Sequence, residues 1–292
     1  MILHAARAPL AREPSALTAQ AIGRAATLAL HDELALAPKP GLVTPLSAGS
    51  HTDMDAHTFM RSLFALRRYF VEIAELGAQH AHFEALEHCG IGAEARMLAA
   101  TGGINTHRGA IFMLGLLCAA AGAVAVTGRR ATPSSIRSAL LTHWGETLAA
   151  RALRPSALPG GQAAQRHGLR TAGAEAALGF PSLFETAAPA LAAAQTRGLG
   201  PQQARLETLF HVIAVLDDSN LARRGGLAGL RYAQQAARGF LAAGGAAQRE
   251  ADAAAAAIGT EFVQRRLSPG GAADTLAAAC WLQRIGALAA GQ

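Results

Sequence analysis

Lysine is almost missing from this 292-residue chain: Lys39 is the only one, and the other 25 of its 26 basic residues are arginine. Aromatic residues make up 5% and charged residues 16%, against 51% hydrophobic. Such a composition excludes a disordered chain, which needs high charge and low hydrophobicity. No segments of alternating β-branched residues separated by short turns occur, which excludes a β-sandwich or barrel. The three cysteines, Cys89, Cys118 and Cys280, are odd in number, widely spaced and set in apolar stretches. They read as buried free thiols of a reducing compartment and not as a disulfide framework. Met1 to Arg12 lacks a hydrophobic run of signal-peptide length, so a cytoplasmic protein is expected. The net charge of +6 would suit a nucleic acid, yet the basic residues are dispersed and their longest runs are pairs. A small polyanion such as a nucleotide triphosphate fits better than nucleic acid or a membrane.

What is abundant is alanine, at 72 positions, in a pattern that reads almost wholly as helix. Phe59, Leu63, Leu66, Phe70 and Ile73 recur at spacings of four and three, one apolar stripe of an amphipathic helix. Thr52 with Asp55 three residues on reads as its capping box, and Thr132 followed by Pro133 opens another helix that runs to about Leu153. Further helices are expected over about 17–36, 83–98, 183–196, 201–216, 227–243, 249–265 and 273–289. Gly109 to Gly128 carries no charge over twenty residues, long enough to cross a bilayer. Because it stands alone and is rich in Ala and Gly, it is read as a buried central helix of an all-α, single compact domain spanning 1–292. The stretch 151–166, with two Pro, two Gly and three Arg, reads as a flexible basic loop.

Five clusters are not explained by apolar helices. Pro38 and Pro40 flank the single lysine in a rigid extended segment that could aim the ammonium of Lys39 at a phosphate. His51-Thr52-Asp53-Met54-Asp55-Ala56-His57 can place carboxylates on a hard divalent cation such as Mg²⁺. Gly102-Gly103-Ile104-Asn105-Thr106-His107-Arg108 precedes the long apolar helix, where free amides and an arginine make an anion site. Asp217-Asp218-Ser219-Asn220, followed by Arg223-Arg224-Gly225-Gly226, puts adjacent carboxylates at the end of an apolar stretch. The helix dipole there is already negative, so the arrangement suggests a bound cation or a catalytic acid. Glu175 and Asp274 sit in Gly-rich surroundings, and Glu33 near the end of the first helix; Glu33 and Asp274 are the weaker candidates.

In this order the clusters resemble the triphosphoribosyl-dephospho-CoA synthase family, which serves malonate decarboxylase and citrate lyase. The resemblance rests on PKPGLV, GSHTDMD, GGINTHRGAIF, HGLR with EA and GFP, DDSN with RRGGLAGLR, and SPGGAADTLA, and runs from about Glu33 to Leu276. It departs at Thr44-Pro45, where the family often has a charged pair, at Arg108, where Lys is frequent, and at Thr171 to Gly173, which replaces a more Arg-rich stretch. It implies transfer of the triphosphoribosyl unit of ATP to the 2′-hydroxyl of 3′-dephospho-CoA with release of adenine. The GLRxxxxEAxxGFPSLF stretch is more similar to the malonate decarboxylase branch, whose acyl carrier protein holo-synthase would receive the product. An α-linked product from a β-nucleotide implies inversion, with one carboxylic acid kept protonated for adenine and another group taking the hydroxyl proton. The resemblance then implies that Asp53, Asp55, Asp217 and Asp218 hold Mg²⁺, with catalysis from among Asp53, Asp55, Asp218 and Glu175. Lys39, His51, Arg108, Arg223 and Arg224 would contact the nucleotide phosphates, Asn105, His107 and Asn220 would orient ribose or adenine, and Gly103 and Gly225 would admit the ligand to the backbone. A homodimer would be compatible with this reading. The alternative is a metal-dependent nucleotide phosphohydrolase, in which HTDMD binds metal and water attacks.

Overall fold

The computed structural model describes residues 17–290, so the expectation drawn from Met1 to Arg12 lies outside the described residues. Twelve α-helices are present among these residues: α1 (Ala19–Leu34), α2 (Ala56–Ala78), α3 (Phe83–Thr101), α4 (Arg108–Ala125), α5 (Pro133–Ala152), α6 (Pro159–Arg166), α7 (Ala172–Ala177), α8 (Ala188–Thr196), α9 (Pro201–Val215), α10 (Ser219–Ala242), α11 (Ala251–Gln264) and α12 (Gly270–Ala290). No strand is formed among the described residues; a single antiparallel bridge closes the turn from Thr44 to Ser47. The protein is all-α, as its composition predicts.

The apolar stretch becomes α4, which packs against α2, α5 and α12. It is the one described helix long and apolar enough to cross a bilayer, and 72% of it is buried by its neighbours. Its small residues explain how. A Cβ on Gly122 would come within 2.1 Å of the Ala74 carbonyl, and one on Gly77 within 1.9 Å of the Ala119 carbonyl. Two backbones thus touch along the α2–α4 seam, where larger side chains would force them apart. The stripe predicted on α2 is buried as expected, with Leu63, Leu66, Phe70 and Ile73 facing α1 and α4 in one contiguous core.

Local signals locate most helix ends, and the exceptions have physical causes. Thr52 does not cap α2; Asp55 does, its carboxylate accepting from the Thr58 amide and hydroxyl, both at 2.8 Å. The 151–166 segment is only half a loop, because Pro159 starts α6, which packs on α10. The tenth helix begins at Ser219, eight residues before the expected start. Gly226, at φ +63°, breaks its regularity without ending it, so a glycine that reads as a boundary is a kink. The expected helix over 183–196 splits into a π-helical turn, Ser182–Ala187, followed by α8.

Candidate active site

The first turns of four helices, α2, α4, α10 and α12, meet the end of α1 and the loop after it around a cleft of about 350 Å³. That volume lies within the range of small-molecule sites, about 300–1,000 Å³. The positive ends of four helix dipoles therefore surround one space, an arrangement suited to a polyanion. Its lining includes Glu33, His51, Asp53, Phe59, Asn105, Arg108, Asn220, Arg223, Arg224 and Asp274. Segments more than 200 residues apart in the chain thus supply one site.

Arg223 projects from the first turn of α10 without an ion-pair partner among the described residues. Arg224, beside it, donates to the carbonyl oxygens of Arg266, at 2.7 Å, and Ser50, which fastens the loop after α1 to the α11–α12 connection. Burial and the neighbouring Arg223 lower its pKa. His51 Nε2 pairs with Ser268 Oγ at 2.9 Å. Desolvation, then the charge of Arg224, depresses the His51 pKa, so the ring is neutral at pH 7. Asp53, 60% exposed at the mouth, lies 3.8 Å from His51 Nδ1. Arg108 is held by Glu94, with its Nε donating at 2.7 Å, and its amide donates to Asn105 Oδ1 at 3.1 Å. Asn105 is thus the side chain that closes the start of α4.

The single lysine does not face a phosphate. Its side chain is 1% exposed, and Lys39 Nζ donates to the Glu33 carboxylate and, at 2.8 Å, to the Glu33 carbonyl at the end of α1. The two prolines hold the ammonium inward against the negative end of a helix, a position cations favour. Burial pulls the Lys39 pKa down while the charge of Glu33 pulls it up. Glu33 and Asp274, the weaker candidates by sequence, are the carboxylates that line the inner cleft. Asp274 is half-buried, and its carboxylate rests on the first turn of α4. There, a Cβ on Gly109 would approach Oδ2 to 2.0 Å. Desolvation, followed by the charges of Glu33 and Asp218, raises its pKa well above the usual carboxylate range.

The four aspartates expected to hold one cation do not converge. Among the described residues no group of three or more His, Cys, Asp or Glu stands at metal-binding spacing. Asp55 caps α2. Asp217 accepts from the Arg170 amide at 3.1 Å and lines a second, smaller cleft of about 220 Å³. Asp218 is 1% exposed, and every oxygen is engaged: Oδ1 accepts from the amides of Asn220 and Leu221 at 2.8 and 3.2 Å, and Oδ2 from that of Ala272 at 3.0 Å. The unfavourable position inferred from sequence is therefore a favourable one. The chain turns after Val215, so Asp218 meets the positive ends of α10 and α12 and not the negative end of α9. Burial still pushes its pKa up against the opposing pull of these amides.

Glu175 lies in the second cleft, where Arg170 donates to Oε1 at 2.8 Å and the amide and hydroxyl of Ser182 to Oε2 at 3.2 and 2.9 Å. The Asp217–Asn220 turn is the wall between the two clefts, giving Asp217 to one and Asn220 to the other. His107 is 3% exposed behind the first cleft, edge-on to Phe59 with ring centroids 4.9 Å apart. Its Nδ1 pairs with Ser62 Oγ at 2.6 Å, while Nε2 is buried without a partner among the described residues. Desolvation, with the charge of Lys39, lowers its pKa to about 3. Gly103 and Gly225 do not line the cleft. Gly103, at φ +89°, makes the turn after α3, and Gly225 makes room for the Leu267 side chain, which a Cβ would approach to 2.6 Å.

A family model of ATP:dephospho-CoA triphosphoribosyl transferases matches residues 19–291. A probable 2-(5''-triphosphoribosyl)-3'-dephosphocoenzyme-A synthase of Acinetobacter calcoaceticus is 36% identical over 260 residues, covering 89% of each chain. One of the same name from Pseudomonas fluorescens (strain Pf0-1) is 38% identical over 279 residues, 94% of each chain. The 2-(5''-triphosphoribosyl)-3'-dephosphocoenzyme-A synthase of Pectobacterium atrosepticum is 38% identical over 257 residues, 85% of this chain and 84% of its own. No solved structure matches. An all-helical chain with a cation-lined cleft and these relatives is a transferase. It belongs to the ATP:dephospho-CoA triphosphoribosyl transferase family.

Proposed function

We propose that the protein transfers the 5-triphosphoribosyl group of ATP to the 2′-hydroxyl of 3′-dephospho-CoA and releases adenine. The observation that carries this reading is the cleft, in which four positive helix ends and Arg223 surround a space suited to a polyanion while carboxylates line the inner wall. A triphosphate at the helix ends would leave the ribose and base near Glu33 and Asp274, where bond cleavage needs a proton donor. Cleavage of the N-glycosidic bond passes through an oxocarbenium-like state, and inversion requires the acceptor to enter from the face opposite adenine. The mouth beside the exposed Asp53 would admit such an acceptor.

Mg²⁺ keeps most of its waters and needs only one or two protein carboxylates when substrate phosphates supply the rest. Asp53, exposed at the mouth of the arginine-lined cleft, fits that requirement and would hold the ion. Bound there, Mg²⁺ would offset the charge of the triphosphate. In the same reading the product feeds a holo-synthase for the malonate decarboxylase acyl carrier protein, an assignment supported by the sequence around Glu175.

Purified protein incubated with ATP, Mg²⁺ and 3′-dephospho-CoA should release adenine only when all three are present. The nucleotide product should be heavier by one triphosphoribosyl unit. Phosphate or nucleoside diphosphate in place of adenine would overturn this reading in favour of a nucleotide phosphohydrolase.

A further inference from the structure

Breaking the ribose–adenine bond requires an acid, and the sequence offers many carboxylates for the role. Three of them line the cleft. Asp53 is at the solvent-facing mouth, away from the inner wall. Glu33 is tied to Lys39, whose ammonium occupies Glu33 Oε1 and the helix-end carbonyl beside it. Among the described residues, Asp274 alone faces the cleft from within without a cation bonded to it.

We propose that Asp274 is the general acid that protonates the departing adenine, and that Glu33 and Lys39 are positioning residues that assign the proton to it. This inference rests on the triphosphoribosyl-transfer reading above. When two carboxyl groups share an enclosed space they do not both ionise readily. Lys39 settles which one does: by binding Glu33 it stabilises that carboxylate, and the proton stays on Asp274. Other charges facing this space are Asp218 from the turn before α10, Arg108 from α4, Arg223 and Arg224 from α10, and Asp53 and the neutral His51 from the loop. His107, uncharged behind the wall, contributes no charge. Asp218 acts in the same direction as Glu33.

The seat of the carboxyl group also suits the product of the step. Gly109 leaves room for Asp274 Oδ2 against the first turn of α4, where the Ala110 amide and the positive helix end face the carboxyl group. Negative charge appears on Asp274 as the proton leaves, at a place already arranged to receive it. In the step the bond from ribose C1′ to adenine breaks and a bond from C1′ to the acceptor 2′-oxygen forms. The electron pair of the broken bond leaves with adenine, which takes the Asp274 proton on a ring nitrogen. The acceptor hydroxyl proton passes to water at the open mouth, and water returns one proton to Asp274 after adenine departs. Protons and electrons balance without a redox partner.

The test compares wild type, Asp274→Asn and Glu33→Gln across pH 5 to 10 with ATP, Mg²⁺ and 3′-dephospho-CoA, following adenine release. For Asp274→Asn we expect kcat to fall about 100-fold or more, as general acids contribute about 10²–10⁴-fold, with the KM for ATP within a few-fold of wild type. Glu33→Gln removes the competing carboxylate but keeps Lys39, so activity at high pH should be lost at a lower pH than in wild type. As a further readout, a ribose 5-triphosphate carrying 4-nitrophenol in place of adenine has a leaving group that needs no proton. It should restore Asp274→Asn to within about tenfold of wild type, an outcome that mere structural damage would not give. An Asp274→Asn protein that releases adenine within about tenfold of wild type, or a Glu33→Gln profile superimposable on wild type, would overturn the proposal. If wild type itself releases no adenine, the reading of the reaction fails instead.

Discussion

Asp218→Ala tests whether this residue belongs to the chemistry or to the frame. The carboxylate accepts from three amides, at 2.8, 3.2 and 3.0 Å, and so joins the starts of α10 and α12. Removing a helix cap costs about 0.5–2 kcal/mol, and here one side chain caps two helices. The site is 1% exposed, so water does not readily replace the lost acceptor. Together these give a loss of about 2–4 kcal/mol. With each kcal/mol worth about 2 °C in a chain of this size, the midpoint of thermal unfolding should fall by about 4–8 °C. Asp218→Asn keeps the acceptor for the α10 amides but presents N–H to the Ala272 amide, so about half the loss is expected. Differential scanning calorimetry measures both, and adenine release at a temperature where each variant is folded gives the activity. A variant with an unchanged midpoint and no turnover would refute this reasoning and return Asp218 to the role of metal ligand or catalytic acid.

Lys39→Met should cost about 3–5 kcal/mol, because it leaves the buried Glu33 carboxylate unpaired; chemical denaturation would register this, and a small change would mean that Glu33 is neutral. His107 has a folded pKa of about 3 against an ordinary 6.5, so the unfolded chain binds its proton first as pH falls. Its contribution is fully present above about pH 6.5 and is lost progressively down to pH 3, by up to about 5 kcal/mol. His107→Asn should flatten the denaturation free energy over that window. Gly109→Ala sets a Cβ against Asp274 Oδ2, so we expect kcat to fall while unfolding measurements show about 1–3 kcal/mol of overpacking. Arg223→Ala, which removes a cleft cation with neither an ion-pair nor a hydrogen-bond partner among the described residues, should raise the KM for ATP about tenfold in a steady-state assay, with kcat nearly unchanged.

The helices were legible because their signals are local. The stripe from Phe59 to Ile73, the Thr132 cap with Pro133 and the charge-free run that becomes α4 each carry their meaning within a few turns of chain. The segment 151–166 misleads because its Pro and Gly residues are helix breakers in an interior, whereas Pro159 stands at a helix start, where its missing N–H costs nothing. In the cleft, the sequence clusters supply most of the lining segments, while several of their side chains point elsewhere. Lys39 is singular, but its direction depends on the end of α1, whose free carbonyl attracts it. Asp217 and Asp218 are adjacent in the chain, yet a turn sends one to each cleft. Asp274 owes its character to Gly109 and Glu33, which are 165 and 241 residues away, and no local pattern records that meeting. The sequence signal that could have raised it is the pair of glycines that opens the helix that carries it, which lets the start of α12 lie against Asp218 and Asn220.

Because the cleft takes its wall from chain positions as far apart as Glu33 and Asp274, it has no precursor during synthesis. A nascent chain that has released α1 to α11 possesses three of the four helix starts and neither the carboxyl group of α12 nor the partner for Asp218. In the proposed reading nucleotide would act only once α12 has been made, as a late clasp that joins α1 to α12. At one hundred times its dissociation constant a ligand of the native state adds about 2.7 kcal/mol to stability. The abundance of the enzyme in a cell would then follow the supply of its own substrate.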